Sequence, residues 1–202
     1  PLELDALGFG LLIHEILEKS VKLLTAQNKR GLSLASKDDI DNALKAALKG
    51  IAEEWSLSFP IPPLEIWNST LEEATEYARV ALNQSNDSME NRQSWAEVPF
   101  GDGNHAQTVK SEDRVDLPWD PTRPVGIPGS EIYIAGSIDR IDVGDGEITA
   151  LVTDYKSGRT PRVKGFNLNG GKELQRCLYA FAAKNLLKAN PTVQAQLIYL
   201  KK

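Results

Sequence analysis

Asp139, Asp154 and Lys156 are the residues of this chain whose types and spacing could do chemistry. They fall in one stretch, residues 132–158, IYIAGSIDRIDVGDGEITALVTDYKSG. Gly144-Asp145-Gly146 separates two runs rich in apolar and β-branched residues, a local signal for a hairpin. Strand side chains alternate between faces, so Asp154 and Lys156 point the same way. A two-residue loop at the glycines would set Asp139 opposite Ala150 or Val152, on the face that carries Asp154. An even-numbered loop keeps the two aspartates together; an odd one needs a bulge to do so. Two carboxylates and an ammonium then share a sheet face whose other members are mostly apolar. Burying charge in that way is costly without a compensating ion. An Asp154–Lys156 ion pair on a solvated edge is the plainer alternative.

Acids and a lysine converging on a hairpin suit metal-assisted hydrolysis. Hard oxygen ligands favour Mg²⁺ or Mn²⁺, and Mg²⁺ is commonly held by one or two carboxylates plus a phosphate oxygen of the substrate. A lysine beside the metal can orient the attacking water or offset charge on the scissile phosphate. The charge distribution agrees. The chain carries a formal net charge of −5. Yet Lys156, Arg159, Arg162, Lys164, Lys172, Arg176, Lys184 and Lys188 follow the hairpin with Glu173 as the one acid among them. A local basic surface of this kind suits an anionic partner, and Arg159, Arg162 and Lys164 lie in a glycine-containing loop fit for phosphate contact. A solvated basic helix face is the alternative.

The elements that must position these groups can be read in order. Apolar residues at helical spacing (Leu7, Leu11, Leu12, Ile16, Leu23, Leu24) predict a helix over 4–29. His14 lies among them, where a packed core histidine is the ordinary reading. Gly8 and Gly10 weaken that helix but permit close approach of another backbone. Ser36 caps a second helix over 36–55, with Asp38 and Asp39 in its first turn. A third helix runs over 64–84 after the proline-rich turn at 59–63. The second and third helices are amphipathic and mostly acidic outside. Residues 94–100 read as a strand with Glu97 at its centre, either a metal or proton-transfer group or an edge-strand charge. The loop-rich segment 101–130 holds Trp119, a core plug or, less favoured, a base-stacking residue, and a short strand near 124–127. A helix over 172–188 buries Leu174, Leu178, Phe181, Ala182 and Leu186 and sets Gln175 and Tyr179 on another face. A strand over 193–200 closes the order.

With 202 residues, 41% of them hydrophobic and 25% charged, the chain has ordinary globular composition. Cys177 is its single cysteine; it excludes an internal disulfide framework and suits a reducing, cytoplasmic setting. No apolar run approaches the roughly 20 residues that span a bilayer. A start at Pro1 and a stop just after a strand suggest a fragment of a larger protein.

Asp139 followed by Asp154-Tyr155-Lys156 resembles the signature of the PD-(D/E)XK nuclease superfamily. The wider pattern is Gly10-Leu-Leu-Ile-His14, Glu97, Gly136-Ser-Ile-Asp-Arg-Ile-Asp142, Asp154-Tyr-Lys-Ser-Gly158 and Gln175-Arg-Cys-Leu-Tyr179. From His14 to Tyr179 it resembles the RecB/AddB-type nuclease domain of bacterial recombination helicase–nucleases. The resemblance implies an α/β fold, a restriction-endonuclease-like mixed β-sheet flanked by helices, with an α-helical insertion at 30–93 in a single domain over 1–202. It implies a metal-dependent DNA exonuclease of recombination and repair, acting on single strands or duplex ends, partnered by a helicase domain or subunit and without a membrane. By the same resemblance His14, Asp139 and Asp154 are metal ligands with the main-chain carbonyl of Tyr155. Lys156 is the catalytic lysine, Glu97 an auxiliary acid, and Gln175 and Tyr179 lie near DNA together with Arg176 and the basic loop. Arg140, on the opposite strand face from Asp139, is expected to form a structural ion pair. Two departures stand out. Ile138 replaces the proline of the family name. Many AddB-like relatives also carry four cysteines around an iron–sulfur cluster, whereas Cys177 lies between Gln175 and Tyr179, so no such cluster is expected within these residues. A non-catalytic DNA-binding or scaffolding domain that retains the nuclease fold is the alternative, and a domain docking a protein partner through residues 36–84 a further one.

Overall fold

The structure is a computed structural model, and it describes residues 1–28, 31–84, 92–101, 117–159 and 174–201. They divide into two compact units. Residues 1–28, 31–84, 155–159 and 198–201 make one, and residues 92–101, 117–154 and 174–197 the other.

The first unit is built on three helices: α1 (Ala6–Asn28), α2 (Lys37–Ser58) and α3 (Leu64–Gln84). Asp5 opens α1 by accepting the Gly8 N–H at 2.7 Å. Ser36 opens α2 with a capping box, its side chain accepting from Asp39 N while Asp39 accepts from Ser36 N. The buried stripe of α1 is Phe9, Leu12, Ile13, Ile16, Leu17, Val21 and Leu24. Leu7 and Leu11, expected on that stripe, are instead 72% and 57% exposed. Apolar residues cover more than one side of α1, and its packing against α2 and α3 selects the side that runs through Ile13 and Leu17. Trp55 and Trp67 stack at 5.8 Å between α2 and α3, and Trp55 Nε1 donates to Glu15 at 2.6 Å.

The second unit centres on a sheet. Its strands are β1 (Arg92–Phe100), β4 (Gly136–Gly144), β5 (Thr149–Arg159) and β6 (Thr192–Lys201), in spatial order β1-β4-β5-β6. A two-stranded ribbon, β2 (Val125–Gly126) with β3 (Tyr133–Ile134), stands apart from it. The arm expected to run unbroken from residue 132 is thus divided between β3 and β4. The helix α4 (Leu174–Leu186) lies against the sheet: Ala182, Ala183 and Leu186 share a core with Val98, Phe100, Ile138, Ile141, Val143, Ala150 and Val152. Leu174, expected inside, is 45% exposed, and Leu178 and Phe181 are only half-buried. Ala182 and Ala183 are small and fully buried in the core shared with the strands. Trp119 is the core plug its sequence suggested, 7% exposed with Nε1 donating to the Pro99 carbonyl at 2.9 Å.

The loop between β4 and β5 is longer than two residues. A 3₁₀ turn at Asp145–Glu147, with Gly146 at φ 73°, joins strands paired as Val143–Ala150, Asp142–Leu151, Ile141–Val152 and Arg140–Thr153. The next positions outward are Asp139 and Asp154. Carried one step past the ladder, this register sets Asp139 level with Asp154, not with Ala150 or Val152. The loop remains even-numbered, so the shared face is kept.

Candidate metal and active site

Three carboxylates stand in one row across three adjacent strands. On β1, Ala96 pairs with Arg140 and Val98 with Ile138, which leaves Glu97 level with Asp139. On β5, Asp154 is level with Asp139 in turn. Glu97 interrupts its own ladder: at φ 48° it is one of two described non-glycine residues with positive φ. Such backbone is uncommon outside glycine, asparagine and aspartate, and when held in place by its surroundings it often marks a functional position. Nothing in the sequence signals it. Ser137 Oγ donates to Glu97 Oε2 at 2.9 Å and fixes the carboxylate. Oxygens of Glu97 and Asp139 lie within 4.8 Å of one another. Opposite ligands on a cation with bonds of about 2.1–2.6 Å stand roughly 4–5 Å apart, so these two acids fit a divalent ion. Asp154 is only 2% exposed.

Tyr179 on α4 senses the same row. Its phenol is held above its ordinary value, first by burial and then by the charges of Asp139, Asp154 and Glu97, against the opposing hydrogen bond from Gln175. Gln175 Nε2 donates to the Tyr179 hydroxyl at 2.7 Å, and the ring meets Phe100 edge-on. The expected sharing of a helix face by these two is therefore a direct contact, beside the acids.

In the helical unit, His14 is half-buried and its Nε2 lies 3.1 Å from the main-chain carbonyl oxygen of Tyr155. The carbonyl can only accept, so Nε2 carries the proton in this contact; ligation by the same nitrogen needs the other tautomer. Adjacent ligands on an octahedral Mg²⁺ stand about 3 Å apart, close to this spacing. Lys156 follows one residue later on β5 and is half-buried.

On the opposite face of the sheet, described polar side chains bond to one another. Arg140 Nε donates to Asp142 Oδ2 at 3.0 Å, with side chains 1% and 8% exposed. Ser94 Oγ donates to Asp142 at 2.6 Å, and Arg140 and Gln196 both donate to Thr153 Oγ1. This is the structural ion pair expected of Arg140. The supporting serines and threonine were not singled out from sequence, where they carry no spacing signal. Among the basic candidates, Arg176 is half-buried on α4. Arg159 ends β5, its side chain outside what is described, and Arg162 and Lys164 lie outside the described residues.

A family model, the PD-(D/E)XK nuclease superfamily, matches residues 1–202. The chain belongs to that superfamily. Its fold is accordingly the restriction-endonuclease-like α/β fold, a mixed sheet with helices. Superfamily members are typically metal-dependent nucleases, which agrees with the paired acids of Glu97 and Asp139. Comparison with curated proteins gives no match. No described helix is long and apolar enough to cross a membrane.

Proposed function

We propose that this chain is a Mg²⁺- or Mn²⁺-dependent deoxyribonuclease of RecB/AddB type, a cytoplasmic exonuclease domain of recombination and repair working beside a helicase domain or subunit. The observation that carries this reading is the row of Glu97, Asp139 and Asp154, with Lys156 two residues beyond Asp154. Asp139, Asp154, His14 and the Tyr155 carbonyl would hold the metal, with Glu97 as auxiliary acid. A bound Mg²⁺ or Mn²⁺ lowers the pKa of water and polarises a phosphoryl oxygen.

The chain's own groups supply the rest. Lys156 orients the attacking water and offsets the charge that develops on the scissile phosphate. Asp154 and Lys156 are two apart on one strand, a spacing that directs both side chains to the same strand face. Gln175 and Tyr179 meet the DNA as a pre-formed hydrogen-bonded pair. Arg176, with Arg159, Arg162 and Lys164, holds the phosphodiester backbone without reading bases.

The test is degradation of labelled single-stranded DNA in Mn²⁺ by the wild-type chain, Asp154→Ala and Lys156→Ala. Both variants should be inactive yet folded by circular dichroism. Degradation that survives either change removes the chemistry from this hairpin. Calorimetric titration separates the non-catalytic alternative, which requires no Mn²⁺ or Mg²⁺ binding at the acids.

A further inference from the structure

We propose that Gly10 is a positioning residue: its missing side chain lets α1 settle on β5 at the height that brings His14 to the Tyr155 carbonyl. A Cβ built on Gly10 would lie 3.1 Å from Ser157 Oγ and 3.6 Å from Ser157 Cβ. One helical turn later, His14 Nε2 lies 3.1 Å from the Tyr155 oxygen. The two contacts are in register. Four residues along a helix advance about 6 Å, and two residues along a strand advance about 6.6 Å. Gly10 over Ser157 and His14 over Tyr155 are thus successive rungs between antiparallel elements. Residues four apart on a helix share a face, so a side chain added at Gly10 presses on Ser157 from the face that presents His14, and a larger one presses harder.

Helix propensity argues against glycine here. Alanine is the better helix former, and Gly10 lies inside α1 rather than at a cap. Gly50, inside α2, has nothing within 4 Å of its hypothetical Cβ. Gly8, near the start of α1, is as crowded, but by Asp5 and Leu4 just before its own helix; Gly10 is crowded by a residue of β5.

That His14 and Tyr155 hold a cation rests on the function proposed above; the contact itself does not. The decisive measurement is therefore made without metal, on the full chain. A ¹H–¹⁵N spectrum of the imidazoles should show a hydrogen-bonded Nε2–H assigned to His14 by its loss in His14→Ala. Gly10→Leu, which keeps helix propensity, should abolish that signal, and Gly10→Ala should weaken it. Adding Ser157→Gly to Gly10→Ala should restore it, because the crowded atoms are gone. A signal unchanged in Gly10→Leu overturns the proposal, as does a Gly10→Ala loss that Ser157→Gly fails to repair. Calorimetry with Mn²⁺ then reads the link to the site. Gly10→Leu should weaken binding about 10–100-fold, as for other groups that orient a ligand, and should add no loss in a His14→Ala background. Equal Mn²⁺ affinity of wild type and His14→Ala refutes His14 as a ligand while the metal-free spectra still decide the role of Gly10.

Discussion

Asp139 and Asp154 occupy facing positions on β4 and β5, one step beyond the last ladder pair, Arg140 with Thr153. Like charges directly opposite one another in an antiparallel pair are destabilising. A fold that places a third acid, Glu97, in the same row accumulates negative charge that a divalent cation would relieve.

Asp154→Asn should therefore separate stability from function. In chelator the variant should be more stable by up to about 1 kcal/mol, a Tm rise of about 2–4 °C for a chain of this size. With Mn²⁺ the order should reverse, since ligand binding stabilises only the wild type. Thermal melts in EDTA and in Mn²⁺ read both arms. A wild type that gains nothing from Mn²⁺ would count against a metal at these acids.

The facing of the two aspartates shows what the sequence carried and what it did not. Strand periodicity and the glycines at 144 and 146 were enough to pair the strands and to put both acids on one face, because face depends only on loop parity. The register itself depends on loop length, and the 3₁₀ turn at Asp145–Glu147 has no compositional mark that separates it from a tighter turn. Helix caps were legible because Ser36 and Asp39 act within one turn. The buried stripe of α1 was not, since Leu7 and Leu11 are as apolar as Ile13 and Leu17 and only the neighbouring helices choose between them. Glu97 was legible as an acid within a strand. Its positive φ and its bond from Ser137 belong to the assembled sheet.

Arg140 should be a stability residue, not a catalytic one. Removing one partner of a buried ion pair leaves the other charge without compensation and costs about 3–5 kcal/mol. Arg140→Met should lower the urea midpoint accordingly. The double change Arg140→Met with Asp142→Leu should recover most of the loss. An Arg140→Met variant with unchanged stability but weakened DNA cleavage would reassign this residue to the site.

Gly101 closes β1 at φ 81°, and a Cβ there would run into the Ile134 carbonyl oxygen of the ribbon strand β3. The hydroxyl or methylene of a flexible neighbour could turn aside; a backbone carbonyl cannot. Gly101→Ala should cost more than the roughly 1 kcal/mol of strain expected of an ordinary left-handed site. Gly129→Ala serves as control, since Gly129 has a similar φ of 75° but open space around its Cβ position. Urea denaturation of the two variants should show a clearly larger loss for Gly101→Ala.

Tyr179 should contribute a pH dependence of stability on the alkaline side. Its phenol is raised above the ordinary 10.0, chiefly by burial, with added charge from Asp139, Asp154 and Glu97 and an opposing hydrogen bond from Gln175. The folded chain thus favours the neutral phenol more than the unfolded chain does. The stability this contributes is fully present below about pH 10 and is lost as pH rises through the folded-state pKa. Tyr179→Phe cannot ionise, so its stability should fall less steeply above pH 10 than that of the wild type. Asp139→Asn should move the phenol back toward its ordinary value by removing one of the charges that raise it. Ultraviolet titration of phenolate absorbance, read as the difference between wild type and Tyr179→Phe, measures both effects. A difference spectrum with a midpoint at or below 10, or one that Asp139→Asn leaves in place, would separate Tyr179 from the acidic row.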